Sequence, residues 1–335
     1  MKPSQTKLIG EHPSIVALRD LIARVAPSRA GTVLIYGETG SGKGLVARMI
    51  HEGSQRAAKA FVDINCAAIP AELLESELFG HERGAFTGAV MKKEGLIEAG
   101  NGGSVFLDEI RELHPVMQAK ILTLLDTKRF RRVGAVKPID VDVRFIAATN
   151  KILLQEVNAG KFRDDLYYRL QVISINVPPL RERGSDILLL ADNFLHKYQQ
   201  AHGGQRKQVH PEVAQIFLTY SWPGNVRELE NLMERICLLE DGPQVLVSHL
   251  PARILRTVQS PQPMAAAASA AATQVGESAR APAHYHAATA AFQRALIARV
   301  MQECQHHIAD AAERLNLSRH ALRHQMIKLG MLPKE

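Results

Sequence analysis

The sequence has few cysteines, few aromatic residues and no long hydrophobic run. Its three cysteines, Cys66, Cys237 and Cys304, form no CxxC or Cys/His pattern, which argues against a disulfide framework and a zinc site and fits a reducing compartment. No stretch approaches the roughly 20 apolar residues that a membrane span needs. The first eleven residues lack the apolar core of a signal peptide. We therefore expect a cytoplasmic protein without a membrane span.

What is present is a long, slightly basic chain of ordinary polarity. Hydrophobic residues make up 46% and charged residues 22% of its 335 residues, so collagen-like and wholly disordered chains are excluded. At about 150 residues per domain, there is room for two domains and a small appendage. Lys and Arg number 41 against 34 Asp and Glu, a net charge of +7. This balance favours an acidic partner such as nucleic acid or nucleotide.

The first half of the chain alternates between two kinds of segment. Short β-branched or apolar runs are separated by longer segments of helical period between Thr32 and Val177, and these runs lie at 33–36, 61–64, 104–107 and 143–146. The alternation predicts an α/β domain with a parallel sheet. After Pro178 the strand signal disappears. Helical candidates at about 186–199, 211–219 and 226–240 predict a small helical subdomain.

The last quarter of the chain changes composition twice. Residues 257–283 are mostly Ala, Ser, Pro and Gln and predict a flexible linker, although the Ala run is also compatible with a short helix. Two short helical segments, 308–315 and 318–329, then predict a helix-turn-helix. The predicted divisions are an α/β subdomain at 1–178, a helical lid at 179–256, a linker at 257–285 and an all-α domain at 286–335.

A glycine-rich loop lies where the first predicted strand meets a helix. Residues 37–43 read GETGSGK, which is the P-loop pattern in the strand-to-helix context that lets backbone N–H groups approach phosphates. The alternative is a turn without a ligand. Gly44 replaces the usual hydroxyl residue, so no side chain there can bind Mg²⁺. The candidate phosphate-binding residues are Gly37, Glu38, Thr39, Gly40, Ser41, Gly42, Lys43 and Gly44.

Two carboxylates follow the third apolar run. Asp108 would hold Mg²⁺ through water, and Glu109 would orient or deprotonate the attacking water in a phosphoryl transfer. Such a pair after a strand is more often a helix N-terminus, but the upstream loop favours catalysis. Asn150 ends the fourth run, at the strand end where nucleotide chemistry lies. These residues predict ATP and Mg²⁺ as cofactors.

A hexapeptide loop carries the strongest family signal. Residues 77–83 (ELFGHER) lead into Gly84, Ala85, Phe86, Thr87, Gly88 and Ala89. At this point the chain resembles the bacterial enhancer-binding proteins, the AAA+ activators of sigma-54 RNA polymerase. The residues alone describe a loop tip presenting Phe86 and Thr87 for a contact, or else a buried loop anchor. The resemblance covers about 8–254, and the C-terminal segment resembles the family's Fis-type helix-turn-helix.

The resemblance assigns roles to residues at the nucleotide site. It implies that Lys43, Asp108 and Glu109 act on the phosphates, magnesium ion and water, in agreement with their chemistry. It also implies that Asn65 is a switch that holds Glu109 until nucleotide is sensed; on its own, Asn65 would be a capping or turn residue. The family usually has Glu at the position of Gly44, so a weakened nucleotide site is one interpretation of that glycine.

The same resemblance implies contacts from further along the chain. Arg163 and Arg169 match arginine fingers that reach the γ-phosphate of a neighbouring subunit, whereas two Arg six apart would otherwise suggest a solvated helix face. Arg227 matches the lid arginine near the phosphates, and Ile9 and Gly10 match the segment that flanks adenine. A basic run at 128–132 matches a second surface loop that supports the first; a solvated charged face or a DNA contact are its alternatives.

The predicted helix at 318–329 has a buried and a basic face. Leu322, Met326 and Leu329 have helical spacing, and residues 314–328 contain four cations and no acid. Arg and Gln can read guanine and adenine edges, although such a hairpin is also used for protein packing. Three apolar residues at helical spacing would either form a dimer interface or pack within the core of the small domain: Phe292, Leu296 and Val300. The candidate DNA-binding residues are Ser318, Arg319, His320, Arg323, His324 and Gln325.

Together with these patterns, the resemblance implies an ATP-driven transcription activator that binds enhancer DNA and remodels the closed sigma-54 promoter complex. It also implies a homo-oligomer, which we expect to be dimeric at rest and hexameric in the active ring. The alternatives are a nucleotide-switched DNA-binding regulator with little hydrolysis, which Gly44 favours, and a generic AAA+ remodelling ATPase. Because the ATPase begins within the first ten residues, the chain resembles family members without an N-terminal sensor. This predicts control in trans by a negative regulator or by expression level.

Overall fold

The computed structural model describes residues 7–202 and 207–259, and residues 297, 298, 300, 301, 304, 307–314, 322, 326 and 331. The chain divides into two compact units, Met1–Pro261 and Gln262–Glu335. Within the described residues, no helix has both the length and the apolarity to cross a bilayer.

The first unit contains short strands and longer helices in alternation. Its strands are β1 (Thr32–Tyr36), β2 (Phe61–Asn65), β3 (Gly80–His81), β4 (Lys93–Glu94), β5 (Ser104–Asp108), β6 (Arg129–Phe130), β7 (Ile139–Asp140), β8 (Arg144–Thr149), β9 (Ser174–Asn176), β10 (Gln208–Val209) and β11 (Gln244–Val245). Its helices are α1 (Pro13–Val25), α2 (Lys43–Glu52), α3 (Ala71–Phe79), α4 (Leu96–Ala99), α5 (Pro115–Thr127), α6 (Leu153–Asn158), α7 (Asp164–Leu170), α8 (Asp186–His202), α9 (Pro211–Thr219), α10 (Asn225–Leu239) and α11 (Ala252–Gln259).

A parallel five-stranded sheet forms the centre of the first unit. Its strand order is β2-β5-β8-β1-β9, and the register places Asn65 beside Asp108 and Ile35 beside Ala148. Strand β1 is buried on both faces, as expected for a parallel sheet covered by helices. Residues from α1 and α2 cover one face, and residues from α3, α5 and α7 cover the other. The predicted α/β fold is confirmed.

The helical part of the first unit packs around one tryptophan. Trp222 is fully buried, its indole N–H donates to Phe217 O at 2.8 Å, and its ring lies 5.2 Å from that of Tyr220. Helices α8, α9, α10 and α11 contribute to this core. The sequence predicted no strand here, which is wrong, because β10 and β11 pair in parallel. Two residues are too few to show a strand periodicity.

The second unit has a small apolar core. Helix α12 (Ile308–Arg314) contributes to this core. The buried residues of the core are Ile297, Val300, Met301, Ala311, Ala312, Leu322 and Met326. The predicted burial of Leu322 and Met326 is confirmed, and Val300 packs within this unit. The predictions for Phe292, Leu296, Leu329 and the six DNA-binding candidates lie outside the described residues. The linker predicted at 257–285 is wrong at its start, because residues 257–259 belong to α11, and the rest of it lies outside the described residues.

A buried histidine gives the first unit a predicted pH dependence. His51 on α2 is 4% exposed, and its Nδ1 lies 2.9 Å from Ser104 Oγ. Burial lowers its pKa, because the charged imidazolium is poorly solvated there. The folded protein therefore binds fewer protons than the unfolded chain, and its stability is lost as pH falls below about 6.5, the ordinary histidine pKa.

We therefore expect acidification from about pH 7.5 to about pH 5.5 to lower the denaturation midpoint of the wild type more than that of His51→Gln. Urea unfolding at both pH values measures the difference. His210→Gln is the control, because His210 is a partly exposed residue at the start of α9. An equal pH dependence of wild type and His51→Gln would show that His51 is not the responsible group.

Candidate nucleotide site

The predicted phosphate loop connects the carboxyl end of β1 to the first turn of α2. Gly40 (φ 76°) and Gly42 (φ 109°) adopt left-handed conformations that favour glycine. Lys43 is only 6% exposed, and its Nζ donates to Gly37 O at 3.0 Å. The backbone turn thus holds the lysine ammonium inside the loop that the sequence predicted to bind phosphate.

Two features of this loop fit a phosphate group. Ser41 Oγ is buried and has no hydrogen-bond partner among the described residues. A Cβ atom added to Gly42 would meet nothing within 4 Å, which leaves open space beside the loop. The loop also lies at the N-terminus of the ten-residue helix α2, where free backbone N–H groups favour anions. An anionic ligand with several acceptor atoms matches these donors.

The two predicted carboxylates lie beside this loop, at the end of β5. Burial raises the pKa of Asp108, an effect that the charge of Lys43 opposes. Glu109 has φ 52°, a conformation that costs energy for a non-glycine residue and is frequent at functional sites. Its Oε1 lies 3.4 Å from Lys43 Nζ, and its Oε2 accepts from Asn150 N at 3.2 Å. Asn150 Nδ2 in turn donates to Thr39 Oγ1 at 3.1 Å.

Asn65 does not contact Glu109 in this structure. Its Oδ1 accepts from Ala67 N at 3.0 Å, whereas the Glu109 carboxylate contacts Lys43 and Asn150. Asn65 ends β2 beside Asp108. The structure therefore places Asn65 in a turn on the strand next to the predicted catalytic carboxylates, and its role as a switch stays a prediction.

The predicted adenine-flanking segment is tied to the helical lid. Gly10 (φ 146°) lies against α8, where a Cβ atom would approach Asp186 Oδ2 to 2.4 Å. The buried Asp186 carboxylate accepts from Glu11 N at 2.6 Å and from His12 N at 3.1 Å. Ile9 packs against the lid core. Movement of the lid would therefore be transmitted to this segment.

The sequence did not predict the principal contact between the phosphate loop and the lid. Glu38 forms a bidentate pair with Arg181, at 2.6 and 2.8 Å, and this pairing lowers the pKa of Glu38. Asn225 is fully buried; its Nδ2 donates to Glu38 Oε2 and Thr39 O at 3.1 Å, and its Oδ1 accepts from Leu180 N at 2.7 Å. The only sequence signal was the Trp-Pro-Gly-Asn turn, because Asn tolerates the φ of 52° found here.

The lid also approaches the loop through its backbone. A Cβ atom on Gly40 would lie 2.3 Å from Gly224 O, and Arg227 N donates to Gly40 O at 3.3 Å. Arg227 lines a cavity of about 360 Å³ with Thr39 and Gly40. The buried Arg183 donates to Ser41 O at 2.7 Å, and burial lowers its pKa to about 10. The structure thus brings the predicted lid arginine to the phosphate loop.

The two predicted arginine fingers pair with carboxylates of their own chain. Arg163 precedes α7 and contacts both Asp165 oxygens, at 2.6 and 3.0 Å, while Arg169 Nε lies 2.9 Å from Asp126 Oδ1. Both arginine side chains are nearly half exposed. The fully buried Gln118 accepts from Arg163 N at 2.8 Å, so α5 positions the backbone that carries Arg163.

The hexapeptide forms an exposed loop tip. Gly84 N donates to Ala89 O at 2.8 Å, which closes the loop, and Ala89 is buried. Phe86 is 41% exposed, with its ring 5.0 Å from the ring of His81. Thr87 is exposed. Ala89 therefore anchors the loop, while Phe86 and Thr87 are presented at the surface as a contact requires.

The second loop packs against the first. Val133 N donates to Gly80 O at 2.9 Å, and a Cβ atom on Gly134 would lie 2.8 Å from Ala85 Cβ. In the preceding basic run, Arg132 is largely buried between Glu82 and Glu98, at 3.0 and 2.7 Å. Interpreting the run as a solvated face is therefore wrong for Arg132, because two carboxylates offset the cost of burying its charge.

Gly44 offers a test of helix α2. It is the second residue of the helix, and a Cβ atom there would lie 3.8 Å from Phe106 Cε1, an ordinary contact. We expect Gly44→Ala to raise the free energy of unfolding by about 0.5–1 kcal/mol, since Ala restricts the unfolded chain and favours helix. Urea denaturation measures the change. Gly53→Ala is the control, because its Cβ would lie 2.9 Å from Ala26 Cβ; an equal gain in both variants would contradict the local explanation.

Three family models match the chain. The sigma-54 interaction domain matches residues 8–176, the AAA+ ATPase lid domain residues 181–267, and the Fis family of bacterial regulatory proteins residues 289–329.

Similar proteins include three from bacteria. The nitrogen fixation protein AnfA of Azotobacter vinelandii is 42% identical over 330 residues, covering 98% of this chain and 58% of AnfA. The transcriptional regulatory protein ZraR of Escherichia coli strain K12 is 48% identical over 254 residues, covering 76% and 57%. The response regulator PilR of Pseudomonas aeruginosa is 41% identical over 330 residues, covering 98% and 71%. The chain thus spans somewhat more than half the length of AnfA and ZraR.

A similar solved structure is that of NtrX from Brucella abortus in complex with ADP. Its TM-score is 0.70 at 32% sequence identity, and the match covers 98% of this chain and 70% of NtrX. NtrX in complex with ATP gives a TM-score of 0.69.

Proposed function

The chain belongs to the family of sigma-54-dependent transcriptional activators, and we propose that it hydrolyses ATP to remodel a sigma-54 RNA polymerase closed complex. The observation that carries this proposal is the presence of a complete phosphate loop with its carboxylates and an exposed Phe86–Thr87 tip in one α/β unit. A site for phosphoryl transfer and a surface for a protein contact are the two parts that such a remodeller needs.

The phosphate loop would hold the nucleotide. Bound ATP supplies the phosphoanhydride bond, and Mg²⁺ neutralises charge on its phosphates. Backbone N–H groups of residues 37–43, the ammonium of Lys43 and the hydroxyl of Ser41 would donate to phosphate oxygens. Among the described residues, no three His, Cys, Asp or Glu side chains are grouped to hold a metal. Asp108 would therefore hold Mg²⁺ together with water and phosphate oxygens.

Glu109 would accept the proton of the attacking water. Its carboxylate now contacts Lys43 at 3.4 Å, and phosphate entering the loop would compete for that ammonium and release the carboxylate. Asn65, on the adjacent strand, would then be available to hold Glu109 in a second state once it leaves Ala67 N. Asn150 forms hydrogen bonds with both Glu109 and Thr39. A nucleotide that displaces Thr39 would therefore also shift the Glu109 carboxylate.

Arg163 and Arg169 would complete the nucleotide site of a neighbouring subunit in a homo-oligomeric ring. The family resemblance implies six subunits in that ring. Each arginine would exchange its present carboxylate, Asp165 or Asp126, for a γ-phosphate. A positive charge placed beside the phosphate oxygens, where negative charge develops in the transition state, lowers the activation barrier of hydrolysis. Hydrolysis would thus depend on assembly, and Gln118 would set the position of Arg163 through its backbone.

The remaining parts of the chain would contact sigma-54 and bind DNA. Phe86 and Thr87 would contact sigma-54, with the second loop supporting them through Gly134. The C-terminal unit, which matches the Fis family, would bind enhancer DNA through Arg319, Arg323 and Gln325.

Open-complex formation on a sigma-54 promoter in the presence of ATP tests this function. We expect the wild type to open the promoter and Thr87→Ala to lose opening while its ATPase rate stays within about twofold, because Thr87 is exposed and belongs to the loop tip. Thr219→Ala is the control, since Thr219 is an exposed threonine on the lid. A wild type that hydrolyses ATP but opens no promoter would refute the proposal, and so would Thr87→Ala opening normally.

A further inference from the structure

A second cationic cavity lies at the opposite end of the sheet from the phosphate loop. It measures about 420 Å³ and opens where β1 and β8 begin, whereas the phosphate loop follows the end of β1. Four chain segments line it: 27–31, 54–56, Lys128 and 142–144. The cations among them are Arg29, Arg56, Lys128 and Arg144, and the one carboxylate is Asp142.

Arg144 contributes a buried charge that is incompletely satisfied. Its side chain is only 4% exposed, and its terminal nitrogens donate to Ala26 O at 2.6 Å and Val25 O at 2.9 Å. Its Nε is buried without a partner among the described residues. Burial lowers the pKa of Arg144. A buried N–H without an acceptor costs about 1–3 kcal/mol, and more in a charged group, so Arg144 adds an incompletely compensated positive charge to the wall of the cavity.

Lys128 contributes a second cation that lacks a carboxylate partner. It is half-buried between β8 and the loop before β1, with Nζ 5.6 Å from the centre of the Phe145 ring. Burial, followed by the nearby charge of Arg169, lowers its pKa. Among the described residues Asp142 forms its ion pair with Arg56, at 2.6 Å, and not with Lys128. Asp142, the carboxylate that lines the cavity, is therefore paired with Arg56 and leaves Lys128 without an ion pair in the described part of the chain.

We propose that this cavity binds a small oxyanion of the phosphate class, held by Lys128 and the exposed Arg29 and attracted by the buried charge of Arg144. One such anion would supply an acceptor to Lys128 Nζ and would offset charges that are poorly hydrated. Phosphate oxygens accept several hydrogen bonds at once, which suits donors converging from different segments. The ligand would be small because Arg144 is buried and Lys128 is recessed, beyond the reach of a nucleic-acid backbone.

Calorimetric titration of the full chain with inorganic phosphate, and separately with pyrophosphate, at constant ionic strength tests the site. Phosphate could also enter the loop at Lys43, so Lys43→Ala is titrated in parallel. We expect Lys43→Ala to retain saturable binding. The further variants are made in that Lys43→Ala background, where we expect Lys128→Gln to weaken binding about tenfold, the effect of losing one charged hydrogen bond. Arg29→Gln should weaken it too, and because Arg29 is exposed this variant should fold normally. Lys161→Gln, at an exposed lysine outside the cavity, should bind as Lys43→Ala alone does.

The proposal is overturned if Lys43→Ala shows no saturable heat with either anion, or if Lys128→Gln and Arg29→Gln both bind as tightly as Lys161→Gln. Heat with a short DNA duplex, and none with either small anion, would also overturn it. Comparison of the two anions distinguishes a site for a single phosphate from one for a diphosphate group.

Discussion

Replacing Glu109 with Gln is expected to lower the kcat for ATP hydrolysis by about 10²- to 10⁴-fold, the usual contribution of a general base, while nucleotide binding persists. Glutamine preserves the shape of the side chain but cannot accept the proton of the attacking water. It also removes the ion pair with Lys43 at 3.4 Å, which would compete with phosphate for the lysine ammonium. Nucleotide affinity should therefore be unchanged or higher.

Steady-state phosphate release and equilibrium binding of a fluorescent nucleotide measure the two effects separately. Glu112→Gln is the matched control, since Glu112 is an exposed carboxylate in the same turn and pairs with Arg111. A kcat of Glu109→Gln within about tenfold of the wild type would exclude Glu109 as the base. A parallel loss of affinity and rate would instead indicate that the phosphate loop has been distorted.

The second large effect is expected at the contact between the phosphate loop and the lid. Asn225→Ala should lower the free energy of unfolding of the first unit by about 2–4 kcal/mol, because it leaves the buried Leu180 N–H without an acceptor and places Ala at positive φ. It also removes the hydrogen bonds to Glu38 and Thr39. Nucleotide affinity should fall with stability, since the same side chain joins the loop to the lid.

Urea denaturation and nucleotide titration check this prediction. Asn231→Ala is the control, because Asn231 is an exposed asparagine on the same helix, α10. Asn225→Asp keeps an acceptor for Leu180 N but places a second carboxylate against Glu38, so we expect it to destabilise the contact as well, and less so at a pH low enough to protonate one of the two carboxylates. If Asn225→Ala and Asn231→Ala unfold at the same urea concentration, the buried network does not stabilise the contact.

Much of the first unit was predictable because its signals are local. β-branched runs separated by helical segments predicted the parallel sheet. Strands β1, β2 and β5 contain the first three runs, and β8 begins one residue inside the fourth. The phosphate loop and the Asp108–Glu109 pair were found because each function occupies consecutive residues. The carboxyl ends of parallel strands meet at one edge, which explains why Lys43, Glu109 and Asn150 lie together. The roles assigned to Asn65, Arg163 and Arg169 stay predictions.

Other contacts had no local signal. Glu38 pairs with Arg181, 143 residues away, and with Asn225, 187 residues away. The sequence around Asn225 indicates a turn, but nothing in it pairs Asn225 or Arg181 with Glu38, because no periodicity links residues so far apart. Arg132 looked like one cation in a basic run until folding placed Glu82 and Glu98 beside it. The unpartnered Nε of Arg144 likewise depends on which backbone carbonyls surround it.

The amino-acid sequence by itself determined the α/β architecture, the position of the phosphate loop and the loop tip that presents Phe86 and Thr87. The architecture and the phosphate loop follow from backbone preferences and apolar periodicity over a few neighbouring residues, whereas the contact role of the loop tip was implied by the family resemblance. Only the tertiary structure decided how the lid holds the phosphate loop through Glu38, Arg181 and Asn225, and where four cations meet at the other end of the sheet. Those contacts depend on burial and on distances between segments far apart in the chain, which are set when the whole core packs.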